Sequence, residues 1–141
     1  MVDQILDTII PQDEALGLPS AARINFDAYC AQYGIQDLVA RYGNLVELTA
    51  EAKLGKPFRH LDADERFAII TATSAKNFRL YSSFVIHVMR AYYTHKQVLS
   101  QIGSGAVPPF PTGNIIDQGD WDLLGPVYER GPIYRAIEDF S

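Results

Sequence analysis

Residues 75–93, AKNFRLYSSFVIHVMRAYY, form the longest run in which apolar and aromatic side chains recur at helical spacing. Such residues cover more than one face of the predicted helix, and this breadth is typical of a helix packed among others. The sequence therefore predicts that this stretch is the central and most buried helix of the fold. The apolar and aromatic residues are Phe78, Tyr81, Phe84, Val85, Val88, Met89 and Tyr92.

Helix start and stop signals flank this stretch on both sides. Asp62 and Glu65 have the spacing of a capping box, and Thr94 with Gln97 repeats that pattern before a short helix that runs to residue 102. Gly34 and Gly55 are placed as C-terminal stops. Sustained strand alternation is absent, so five or six helices with short connections predict an all-α fold, an irregular bundle. Three earlier helices are predicted over residues 3–10, 20–33 and 36–54, with Asp3 and Ser20 as the first two caps.

Length and charge narrow the possible classes of function. The 141 residues fit one domain, and 48% of them are hydrophobic, as in ordinary globular proteins. The net charge is −5 and no basic stripe is present, which argues against a nucleic-acid partner. The single cysteine, Cys30, excludes an intramolecular disulfide. The most apolar run, residues 84–89, is too short for a transmembrane helix, which needs about 20 apolar residues.

Glycine and proline are concentrated near the C-terminus. Of the 18 in the chain, 11 fall within residues 103–132. This divides the single domain into a helical body, residues 1–102, and a tail, residues 103–141. The prolines at 108, 109 and 111 predict an extended segment, yet the tail holds 13 apolar or aromatic residues besides alanine, and disordered segments are poor in such residues. We therefore expect the tail to dock, on its own body, on a partner, or on both.

The tail also supplies the candidate partner-binding residues. Trp, Tyr and Arg are the usual anchors of protein interfaces, and the tail is rich in them. The candidates are Phe110, Trp121, Tyr128, Arg130, Tyr134 and Arg135.

Groups that could carry chemistry do not assemble into a known motif. His60, His87 and His95 have no metal-ligand or catalytic spacing, and no glycine-rich phosphate loop is present. We interpret His87 as a core histidine with a hydrogen-bonded neighbour, and His60 and His95 as exposed. The acidic residues near residue 13 and at 62–65 lie at predicted helix ends, where they interact favourably with the helix dipole. The sequence therefore predicts no catalytic site, no cofactor-binding site and no metal site.

Several short phrases together resemble the gluconate 2-dehydrogenase subunit 3 family. One is Ile9-Ile10-Pro11 followed by Asp13-Glu14; a second is Gly55-Lys56-Pro57-Phe58 with Leu61. Further phrases are Tyr92-Tyr93 before Ile102-Gly103, and Gly119-Asp120-Trp121 through Arg135. The phrases are spread over nearly the whole chain, and none is a catalytic signature.

The resemblance implies a non-catalytic helical subunit that supports the folding and stability of a larger subunit. That larger subunit, of the GMC type, would hold FAD and oxidise a sugar or an alcohol, with electrons often leaving through a cytochrome subunit. Members commonly carry a twin-arginine leader, which this sequence lacks. We therefore expect a cytoplasmic protein, or a periplasmic one if a leader has been removed or the chain is exported with its partner.

Two alternatives from other classes stay open at this point. One is a small stand-alone enzyme or ligand-binding bundle in which Tyr81, His87 and Tyr92 line an internal pocket. The other is an interaction protein with an unrelated partner, including a homo-oligomer.

Overall fold

A computed structural model describes residues 1–103 and 119–133. Helical conformation accounts for 74% of these residues, in seven α-helices, and no strand forms among them, which confirms the all-α class. Three short 3-10 helices, Ala21–Arg23, Phe58–His60 and Trp121–Leu124, join the α-helices. The α-helices are α1 Val2–Ile9, α2 Phe26–Tyr33, α3 Gln36–Leu54, α4 Ala63–Lys76, α5 Phe78–Tyr93, α6 Lys96–Gln101 and α7 Gly125–Arg130.

Glycine stops end the two helices for which they are predicted. Helix α2 ends at Gly34 and α3 ends at Gly55, and both glycines have φ of 64°. This left-handed conformation places the amide of each glycine on a carbonyl of the last turn, and a side chain there would be strained. The predicted bounds of the third helix, residues 36–54, are confirmed.

The N-terminal ends of the first two helices differ from the prediction. Asp3 lies inside the first turn of α1, and the N-cap is Met1, which makes no side-chain hydrogen bond. Ser20 accepts a hydrogen bond from the amide of Ala22, so it caps the 3-10 helix instead of α2. Asn25 caps α2 through the amide of Ala28, at 3.2 Å. The second predicted helix is divided because Asn25 is itself a strong cap and takes the chain out of the first turn.

The two predicted capping boxes have opposite outcomes. At α4 the box is complete: the Asp62 carboxylate accepts from the Glu65 amide at 2.8 Å, and the Glu65 carboxylate accepts from the Asp62 amide at 3.1 Å. At α6 the prediction is wrong, because the Thr94 hydroxyl donates to the carbonyl of Arg90 at 2.7 Å. Thr94 thereby extends the end of α5, and His95 is the N-cap of α6 without a side-chain hydrogen bond.

The core is formed where α3 and α5 pack together, with α1, α2 and α4 around them. The rings of Tyr42 and Phe84 stack with their centroids 4.4 Å apart, and Phe26 meets Phe84 edge-on at 6.1 Å. Helix α1 contributes Ile5 and Leu6, each 1% exposed. Helix α5 packs on the core through Phe84 and Val88, as predicted, but the prediction that it is buried on more than one face is wrong, because Phe78 and Met89 are 71% and 38% exposed.

The tail is described only over residues 119–133. Within this range Trp121–Leu124 is a 3-10 helix and Gly125–Arg130 is α7. Pro126 stands in the first turn of α7, where its missing amide hydrogen costs nothing. Phe110, Tyr134, Arg135 and the proline run at 108–111 lie outside the described residues, as do the contacts predicted for them.

Candidate interaction surface

One face of α5 is apolar and exposed. At about 100° per residue, Phe78, Ile86, Met89 and Tyr93 fall within an arc of about 80°. Their side chains are 71%, 50%, 38% and 52% exposed, in that order. We call these four residues the α5 face. Isolated exposed apolar residues are normal on a protein surface, but an aligned row along four turns of one helix indicates a binding surface.

The opposite face of α5 is what holds the helix in place. Phe84, Val88 and Ala91 fall on the far side of the helix, and each is at most 7% exposed. Tyr92 is buried as well, and its hydroxyl donates to the carbonyl of Pro19 at 2.7 Å. These contacts account for the apolar residues on the inner side. On the α5 face, Phe78 contacts Tyr81 and Tyr93 contacts Tyr92 within the same helix, yet all four side chains of the α5 face keep more than a third of their surface exposed among the described residues.

Arg79 and Arg90 border the α5 face on one edge. They lie 11 residues apart and therefore project in nearly the same direction, about 16 Å from each other along the axis. Both are exposed, and α5 contains no carboxylate. The α5 face is therefore an apolar row with a positively charged border.

The sequence around α5 has an uneven distribution of charge that its overall composition conceals. Residues 66–116 contain no Asp or Glu, although the whole chain has 17 of them and a net charge of −5. This distribution predicts local positive charge along the stretch from α4 to α6, which includes the border of the α5 face. The cations in the acid-free stretch are Arg66, Lys76, Arg79, Arg90 and Lys96.

His87 lies beside the α5 face, toward α2. Its ring is half-buried, and its Nδ1 shares a hydrogen bond with the Tyr29 hydroxyl at 3.1 Å. Tyr33 packs on Tyr29 with ring centroids 4.4 Å apart. Burial raises the pKa of Tyr29, while the positive charge of Arg90 acts in the opposite direction. The predicted hydrogen-bonded neighbour of His87 is therefore present, but its predicted place in the core is wrong, because the ring is only half-buried.

The trio proposed for an internal pocket does not converge in the structure. Tyr81 and Tyr92 share one face of α5, but His87 points about 120–140° away from both. Tyr81 faces Tyr42, with centroids 6.3 Å apart, and His87 pairs with Tyr29. The three side chains thus face different neighbours.

The remaining histidines and acids occupy structural positions. His60 is exposed, as predicted, and its Nε2 accepts from Arg59 at 3.2 Å. The prediction for His95 is wrong: it is half-buried at the junction of α5 and α6, where it is the N-cap of α6. The Asp13 carboxylate accepts from the amide of Leu16 at 3.1 Å and closes the turn after α1. Over residues 1–103 and 119–133, no group of three acids, histidines or cysteines is arranged to hold a metal ion.

A shallow cleft adjoins the C-terminal end of the α5 face. It lies between the turn that follows α1 and the last residues of α5. Pro11 and Asp13 line one side of the cleft, while Tyr92 and Tyr93 line the other. The cleft therefore extends the surface around Tyr93.

The candidate contacts in the described part of the tail are exposed. Trp121 is 67% and Tyr128 is 75% exposed, and Arg130 is exposed at the end of α7. Leu123 and Ile133 are 74% and 76% exposed. Residues 119–133 thus present a second apolar surface, which carries three carboxylates, Asp120, Asp122 and Glu129, against one arginine.

Comparison of the chain with protein-family models, with curated proteins and with solved structures finds no match. In the part of the chain that the structure describes, no helix combines the length and apolar content that a membrane span requires.

Proposed function

We propose that this chain is a non-catalytic small subunit that binds and stabilises a larger, FAD-dependent dehydrogenase subunit of the GMC type. The observation that carries the proposal is the α5 face, a row of four exposed apolar side chains on an otherwise well-packed helix. A row of this kind is costly to leave in water and is typical of a surface that is covered in a complex. The resemblance in sequence supplies the identity of the partner.

The tail supplies the remaining contacts in this proposal. Trp121, Tyr128 and Arg130 are exposed and of the types that anchor interfaces. Phe110, Tyr134 and Arg135 complete the set on sequence grounds. The FAD belongs to the partner, which would act on a sugar or an alcohol and pass electrons onward, for example to a cytochrome subunit.

Co-expression with a flavoprotein encoded beside this chain tests the proposal. We expect the tagged chain to recover a stable complex that contains FAD. Ile86→Asp should reduce the recovered flavoprotein by about tenfold or more, because a charge would be buried at the centre of the interface.

Leu48→Asp is the matched control for Ile86→Asp. Leu48 lies within α3 and is 51% exposed, against 50% for Ile86, so both changes place a carboxylate at an equally exposed helical position. We expect the Leu48 variant to recover as much flavoprotein as the unmodified chain. Failure of the unmodified chain to form a complex, or equal losses in both variants, would contradict the proposal.

A further inference from the structure

Two uncovered apolar surfaces of this chain are complementary in charge. The α5 face is bordered by Arg79 and Arg90, whereas residues 119–133 carry Asp120, Asp122 and Glu129. Both surfaces are exposed in the single chain: Phe78 is 71% exposed on one, and Tyr128 is 75% exposed on the other. Within residues 1–103 and 119–133, therefore, neither surface is covered by a complementary one of the same molecule.

The two surfaces also agree in dimensions. The row from Phe78 to Tyr93 is about 22 Å long. The 3-10 helix and α7 together hold ten residues, which span about 17 Å. Asp120 and Glu129 are separated by about 14–18 Å, close to the spacing of about 16 Å between the two arginines.

We propose that a second copy of this chain covers the α5 face with its residues 119–133, and that the exchange is mutual. Trp121 and Tyr128 of each copy pack on the apolar row of the other, and the carboxylates lie along the arginine border. Each copy places its residues 119–133 on the α5 face of the other, so the two contacts are identical and related by a two-fold axis. The dimer is therefore closed and does not extend into fibres. This assembly forms from the chain alone, so it is independent of the flavoprotein and competes with it for the α5 face.

The chain length between the two surfaces permits the exchange. Fifteen residues separate Gly103, after α6, from Gly119. A connection of that length can reach up to about 50 Å, which exceeds the length of the α5 face about twofold.

Trp121 provides a direct probe, because it is the only tryptophan in the sequence. We expect the full chain to change from monomer to dimer with rising concentration in sedimentation velocity. The emission of Trp121 should shift to shorter wavelength in proportion to the dimer fraction, since the indole leaves water on docking. High salt should weaken the dimer, because it screens the charged border.

Charge reversal tests the pairing itself. Arg79→Glu with Arg90→Glu should weaken the dimer about tenfold or more, and so should Asp122→Lys with Glu129→Lys. The variant that combines all four changes should recover most of the affinity. All these positions are exposed, and circular dichroism of each variant confirms that the helices are retained.

Three results would overturn the proposal. They are a monomer at every concentration and salt, a dimer in which the Trp121 emission stays that of an exposed indole, and a dimer that the charge reversals leave unchanged. A monomer whose Trp121 emission is already shifted would place the segment on its own body and would likewise reject the second copy. None of these results depends on the flavoprotein, so they are distinct from a failure of the proposed function.

Discussion

Two buried tyrosines of the core differ in what their hydroxyl groups contact. Tyr42 is fully buried and stacks on Phe84, but within the described residues its hydroxyl has no hydrogen-bond partner. Burial raises the pKa of Tyr42, and the neighbouring Tyr81 adds to the shift. Tyr92 is equally buried, yet its hydroxyl donates to the carbonyl of Pro19 at 2.7 Å. The tyrosine hydroxyl therefore destabilises the fold at position 42 and stabilises it at position 92.

Phenylalanine substitutions at these two positions should have opposite effects on stability. Tyr42→Phe should leave the free energy of unfolding unchanged or raise it by up to about 1 kcal/mol, because it removes an unpaired polar atom. Tyr92→Phe should lower that free energy by about 1–2 kcal/mol, because it leaves the Pro19 carbonyl unpaired. Urea denaturation of both variants measures the difference. A loss at Tyr42 as large as that at Tyr92 would mean that the Tyr42 hydroxyl has a partner.

At the scale of elements, the start of α4 depends on one side chain. Asp62→Ala should lower the free energy of unfolding by about 1 kcal/mol, because the amide of Glu65 loses its acceptor and the capping box opens. Asp62→Asn is the control, since asparagine caps as well as aspartate, and we expect it to stay within a few tenths of the unmodified chain. Thermal or urea unfolding distinguishes the two. Equal losses would indicate that the charge of Asp62, rather than its capping geometry, stabilises α4.

Helix start and stop signals in the sequence predicted most of the helices. The exposure of one face of α5 was not predicted. The bounds of α3 follow from residues within the helix and from Gly55, so they could be predicted from the sequence. The exposure of Phe78 and Ile86 depends on which faces of α5 its neighbours cover, and apolar content alone cannot distinguish a covered face from a free one. The same limitation explains His95, whose half-burial depends on the packing around the junction of α5 and α6. The acid-free stretch 66–116 indicates locally positive charge, but it covers α6 and most of α4 as well and does not distinguish the exposed face of α5.

At the scale of the whole molecule, charge and apolar surface are both distributed unevenly. The acid-free stretch 66–116 contains all of α5 and α6 and most of α4, while six of the 17 acids follow residue 116. The net charge of −5 therefore does not predict the binding preferences of the chain. Those preferences depend on the local electrostatic potential of each surface. Each surface proposed for binding joins exposed apolar residues to a net charge, positive at the α5 face and negative over residues 119–133. This combination favours a partner of opposite charge over non-specific association.

The division into a body, residues 1–102, and a tail can be tested by replacing one leucine in each part with alanine. Leu6→Ala should lower the free energy of unfolding by about 2–5 kcal/mol, because Leu6 is 1% exposed and its removal leaves a cavity between α1 and the core. Leu123→Ala should change it by no more than about 0.5 kcal/mol, because Leu123 is 74% exposed. Both are measured by urea denaturation at a concentration at which the chain is monomeric. A large loss at Leu123 under these conditions would show that the tail packs on the body of its own chain, and the body and tail would then unfold as one unit.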